Sequence, residues 1–136
     1  MDIEFKTMKH KIRRWVIKYP ALSAAATSFT MPIGGVPGHS YLKSIEGKVN
    51  TAFAGVTTPS VKVGHTNQLD SLMAKQNLNA VGYLKGSAKH GKGYCDSMTT
   101  IVGSRPMVAT FESTAGNLSA LSTGELELII EWWERE

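Results

Sequence analysis

The sequence predicts an all-β protein: an antiparallel β-sandwich of jelly-roll-like type with an extended N-terminal arm. Three observations predict it. Gly, Ala, Ser and Thr supply 49 of the 136 residues, a small-residue excess that suits strands and turns better than a long helical bundle. Short segments alternate apolar and polar residues with a period of two, the period at which strand side chains change face. Gly, Pro and Ser clusters separate these segments. Six to eight short strands spaced by turns, with no long helix, form the pattern of a sandwich or jelly roll.

One domain is expected at this length, over residues 11–136, preceded by an arm over residues 1–10. Ile12 to Tyr19 is rich in β-branched and aromatic residues, reads as the first strand and ends at Pro20. Ala21–Ala26 is ambiguous between helix and coil. Phe29–Met31 reads as a short strand closed by Pro32, and Pro32 to Gly38 as a turn. From Ser40 to Phe53 the alternation is clearest. Tyr41, Ile45, Val49 and Phe53 share one parity, and Ser44, Glu46, Lys48 and Asn50 the other, which makes a half-buried strand. Gly47 within it marks a bulge or a close backbone approach. Val61 and Val63 mark another strand, and Asn67 to Ala74 reads as a helical turn. Met107, Ala109 and Phe111 alternate within Arg105 to Ser113, and Ser113 to Gly124 is a loop by composition. In the last strand, Glu125 to Trp133, Leu126, Leu128, Ile130 and Trp132 share one face. Glu125, Glu127, Ile129, Glu131 and Trp133 share the other.

Motifs for chemistry are missing. The loop Lys85 to Gly93 is basic and glycine-rich but lacks the Gly-Lys-Ser/Thr ending of a phosphate-binding loop. There is no nucleophile elbow and no paired-histidine zinc helix. His10, His39, His65 and His90 are far apart and read as solvent-exposed loop residues. Cys95 is the single cysteine, which excludes an internal disulfide. The C-terminal glutamates read as a solvated strand face. No catalytic, metal or cofactor residue is expected, and the chain reads as a non-enzyme. No apolar run reaches 18 residues, so no membrane span is expected. Lys18 and Pro20 interrupt the only stretch that resembles a leader, so assembly in a cytoplasm is expected.

Charge is distributed unevenly. Residues 1–92 hold 13 Lys/Arg against 4 Asp/Glu, and residues 93–136 hold 2 against 7, within a net charge of +4. Opposed patches of this kind neutralise each other within one subunit if the first and last strands are neighbours, or otherwise between subunits. Either arrangement accounts for the charge better than nucleic-acid binding does. Two features stand out as contact surfaces. Adjacent strand residues face opposite ways, so Trp132 and Trp133 cannot enter one core. With Trp132 inward, Trp133 and Ile129 face outward, either as an interface or under the N-terminal arm of the same chain. The loop carrying Lys85, Lys89 and Lys92 is either an electrostatic contact or a solvated loop.

Two runs carry a family resemblance. Val49 to Gly64 contains a Thr-x-Phe-x-Gly strand end (Thr51, Phe53, Gly55) leading to a second strand with Val61, Val63 and Gly64. Ala109 to Gly124 contains Gly116-Asn117-Leu118, Leu121 and Gly124 before the final strand. In this order, over residues 28–132, the chain resembles small structural proteins of tailed-phage virions, of capsid cement (decoration) or head-fibre type. The resemblance implies a β-sandwich at the capsid surface that bridges capsomers, contacts the major capsid protein and assembles as a homo-oligomer, commonly a trimer. A tail- or head-fibre-associated structural or receptor-binding module is the alternative. The basic stretch Met1 to Lys18 and the Lys85–Lys92 loop depart from the pattern and read as this chain's own contacts. The expected interface residues are Lys9, Lys11, Arg13, Arg14, Lys85, Lys89, Lys92, Ile129 and Trp133.

Overall fold

The computed structural model describes residue 3 and residues 7–34, 40–65, 68–85, 93–94 and 107–135. The loop residues Lys89 and Lys92, together with His39, His90 and Cys95, lie outside the described residues.

Among the described residues nine strands follow in chain order: β1 (Met8–Lys18), β2 (Ser28–Gly34), β3 (Ser40–Ala54), β4 (Ser60–His65), β5 (Gln68–Asn77), β6 (Gly82–Lys85), β7 (Gly93–Tyr94), β8 (Met107–Glu112) and β9 (Thr123–Arg135). One sheet has the order β1-β9-β3-β6, with β7 also paired to β3, and the other β2-β8-β4-β5. Every strand pair is antiparallel. The chain changes sheet at each connection except β4–β5 and β6–β7. This is the expected antiparallel β-sandwich.

The parity read in the sequence explains the core. Ile45, Val49 and Phe53 of β3 and Leu126, Leu128, Ile130 and Trp132 of β9 are buried. They pack in one cluster with Val61, Val63, Met107, Ala109 and Phe111 of the facing sheet. Burial of each such side chain stabilises by about 1.5–3 kcal/mol. Gly47 sits in register opposite Leu128, and a methyl there would lie 3.1 Å from the Glu127 carbonyl oxygen. It therefore marks a close approach; the β3 irregularities lie elsewhere, between Leu42/Ser44, Val49/Thr51 and Thr51/Ala54.

Several expectations need correction. β1 begins at Met8, earlier than Ile12, and Tyr19–Leu22 form a 3₁₀ turn. β2 runs through Pro32, which is tolerated because β2 is an edge strand. Where a helical turn is expected over 67–74, the described residues 68–74 are strand: β5 covers Gln68–Asn77 and pairs with β4. Burial of Leu72 and Met73 against the core overrides the local preference. The Ser113–Gly124 loop contains a short 3₁₀ turn, Leu118–Ala120, whose Leu118 is buried, as is Leu121 just beyond it.

Candidate assembly surface

The first and last strands are neighbours. β1 and β9 pair over eleven consecutive positions, from Met8↔Arg135 to Lys18↔Glu125, without a register shift. Directly opposed residues share a face, so His10, Ile12, Arg14, Val16 and Lys18 lie beside Trp133, Glu131, Ile129, Glu127 and Glu125 on the outer face. β3 flanks β9 on its other side and brings Ser44, Glu46 and Lys48 to the same face.

Charge on this face is settled locally. Glu125 meets Lys18 Nζ at 4.0 Å and accepts a hydrogen bond from Asn50 Nδ2 at 3.0 Å. Glu127 meets Arg14 Nε at 3.5 Å and accepts from the same Asn50 amide at 3.0 Å. Glu131 lies 3.0 Å from His10 Nε2 and 3.3 Å from Lys43 Nζ. Burial pushes the Glu131 carboxyl up, but hydrogen bonds from His10 and Lys43 and their charges outweigh it, so the group titrates below its ordinary value. On this face Glu125, Glu127 and Glu131 are thus each paired with residues of the positive half within one subunit. The glutamates are half-buried and partnered rather than solvated.

Between the ion pairs the face is apolar. Ile12 is 61% exposed and Val16 44%, while Ile129 is half-buried. Trp133 is 36% exposed, with the His10 ring tilted against it at a centroid distance of 4.6 Å. Residue 10 of the N-terminal segment therefore covers part of this tryptophan, and the rest faces outward. Two strands away Tyr83 is 79% exposed, with Lys48 Nζ 5.6 Å above its ring.

The residues singled out in the sequence divide by parity. Arg14, Ile129 and Trp133 share the outer face, and Arg14 sits directly opposite Ile129. Lys9, Lys11 and Arg13 alternate to the other side of β1. There the Arg13 guanidinium lies 5.2 Å from the Trp132 ring centroid and 5.7 Å from that of Trp15. Lys85 ends β6, in register with Glu46 of β3. Neither described histidine is an exposed loop residue. His10 is in β1, and His65 is buried at the end of β4 with its Nδ1 3.0 Å from Ser71 Oγ. Sequence reasoning missed His10, Ile12, Val16, Lys43 and Asn50. Met8–Lys18 has no apolar/polar alternation to mark its outer face; the pairing with β9 places His10, Ile12 and Val16 there, and Lys43 and Asn50 reach it from β3.

Among the described residues no cluster of three His, Cys, Asp or Glu could hold a metal ion, and no helix is long and apolar enough to cross a membrane. A shallow pocket of about 280 Å³ is lined by Lys18, Tyr19, Pro20, Thr51, Thr123, Gly124 and Glu125.

No protein-family model matches the sequence, and no curated protein matches it. Solved structures do match in fold. A chain of the acidic stable capsid structure of Helicobacter pylori bacteriophage KHP30 superposes with a TM-score of 0.61 at 11% identity, covering 95% of this chain and 91% of that one. The fold is one found in phage capsids. A chain of the cyanophage Pam1 capsid asymmetric unit gives 0.58 at 10% identity, over 98% of this chain and 90% of that one. A chain of the capsid of Ralstonia phage GP4 gives 0.57 at 15% identity, over 100% and 91%. The likeness thus spans both partners almost completely.

Proposed function

We propose that this chain is a structural virion protein of a tailed phage, acting as a capsid cement or decoration protein. It stabilises the shell by contact, bridging neighbouring capsomers at the capsid surface after assembly in the host cytoplasm. Its partners are the major capsid protein and further copies of itself, in a closed symmetric oligomer such as a trimer. The whole-length likeness to chains of three phage capsids carries this reading. The outer face of β1, β9 and β3 supports it. There an apolar row of Ile12, Val16, Ile129 and Trp133 is framed by internally balanced charge, the composition of a contact patch with a polar rim.

Trp133→Ala tests the reading. Its stack on His10 is worth about 0.5–1.5 kcal/mol to the monomer, whereas an interface anchor is worth 2 kcal/mol or more, roughly 30-fold in affinity. Sedimentation with capsids, analytical ultracentrifugation and a thermal melt of the same variant compare the two. Capsid binding or self-assembly should fall by about 30-fold with a loss of only a few degrees in Tm. A large loss in Tm with unchanged assembly overturns the assignment. Copurification at a few copies per particle, with tails rather than with shells, would replace decoration by a tail role.

A further inference from the structure

Among the described residues the first sheet is bounded by β1 on one side and by β6 with the two-residue β7 on the other, and the second by β2 and β5. Edge strands invite pairing with other chains unless something blunts them. Three of these edges are blunted structurally. β2 contains Pro32 and a register shift between Pro32 and Gly34. β5 pairs with β4 through two register shifts. β6 is four residues long. β1 differs on every count. It is eleven residues long, about 35 Å when extended, contains neither Pro nor Gly, and pairs with β9 without a shift. Among the described residues β9 is its only partner strand.

Charge is what distinguishes this edge. Lys9, Lys11, Arg13, Arg14 and Lys18 lie along it with no Asp or Glu between them. Lys9 and Lys11 form no ion pair with a described residue. Arg14 and Lys18 remain 60% and 69% exposed in their side chains although each contacts a glutamate. A second β1 laid along this one would set cation against cation, so the edge rejects its own copy. The chain itself displays the strand that β1 accepts: β9, in which glutamates alternate with apolar residues.

We propose that the free edge of β1 takes up an extended acidic segment of a partner protein, in which carboxylates alternate with apolar residues, as an added strand. Main-chain hydrogen bonds would supply affinity, and the charge row would supply selectivity and register. The proposal rests on the assembly reading only for the place of that partner in a virion; the edge chemistry is tested independently of it.

The probe is a fluorescein-labelled eight-residue peptide of alternating Glu and Val. Its Lys/Val counterpart and a single-stranded oligonucleotide are compared with it by anisotropy against the full chain. The Glu/Val peptide should bind and protect β1 amides from hydrogen exchange. Lys9→Glu/Lys11→Glu should weaken it by about tenfold or more and turn the preference toward the Lys/Val peptide. Because neither lysine holds an ion pair with a described residue, an unchanged melt certifies the variant. The proposal is overturned if no peptide binds up to millimolar concentration, if the variant binds the Glu/Val peptide equally well, or if only the oligonucleotide binds. If the peptide binds while the chain ignores capsids, the edge proposal stands and the cement reading fails.

Discussion

Arg13 and Arg14 are adjacent and chemically identical, yet they occupy opposite faces of β1. Replacing each with Ala is expected to give different losses. Arg13 lies over two indole rings, at 5.7 Å from Trp15 and 5.2 Å from the buried Trp132. Each contact is worth about 0.5–1 kcal/mol, and the guanidinium stem adds packing, so Arg13→Ala should cost roughly 1–2 kcal/mol. In a domain of this size that is about 4–8 °C in Tm. Arg14 makes a 3.5 Å ion pair with Glu127 from a side chain that is mostly exposed. Such pairs contribute about 0.2–1 kcal/mol, and Asn50 still serves Glu127 when Arg14 is gone. Arg14→Ala should therefore cost no more than about 3 °C. Salt separates the two further. At 1 M NaCl the screening length falls to about 3 Å, so the Arg14 deficit should vanish while most of the Arg13 deficit persists. Urea denaturation and melts of both variants at 0.1 and 1 M NaCl make the measurement. Equal losses, or an Arg13 deficit erased by salt, would refute the assigned faces and with them the outer patch.

Two further outcomes follow from the same structure. Glu131 has a native pKa below its ordinary value of 4.5, so its contribution is complete above that value and is lost as the pH falls through the lower native one. Glu131→Gln should lower stability at neutral pH and flatten the acid limb of the stability curve, with the gap to the parent closing in acid, as read by denaturant midpoints from pH 2 to 7. Gly124 has φ of +146°, and a methyl there would run into the buried Phe53 ring. Gly124→Ala should cost roughly 2–4 kcal/mol and lower Tm by about 10 °C, and a melt within 2 °C of the parent would contradict the β3–β9 packing.

Legibility differed by strand for physical reasons. In β3 and β9 a period-two pattern with one apolar face was enough to assign Ile45, Val49, Phe53, Leu126, Leu128, Ile130 and Trp132 to the core, and all are buried. In β5 the same rule fails. The register shifts between Val61/Val63 and Val63/His65 bury consecutive Leu72 and Met73, so no alternation survives to be read. The internal charge neutralisation was legible as one of two options. Choosing between them needed the β1–β9 pairing, whose partners are more than a hundred residues apart in sequence. Treating Lys9, Lys11, Arg13 and Arg14 as one basic cluster obscured what strand parity already implied. Arg14 belongs with Ile129, and Arg13 belongs with the tryptophans beneath.

That long-range pairing bears on when the outer patch exists. Ile129 and Trp133 are carried by β9, whereas Ile12, Val16 and the His10 ring that packs on Trp133 are carried by β1. Neither strand presents the patch alone, and Glu125 and Glu127 of β9 meet the cations Lys18 and Arg14 only when β1 is in place. Contacts closed across such separations form late, because the loop entropy must be overcome before they stabilise. A chain whose sandwich is incomplete thus shows an acidic β9 without its apolar and cationic complement. The outer patch therefore exists only once β1 has paired with β9.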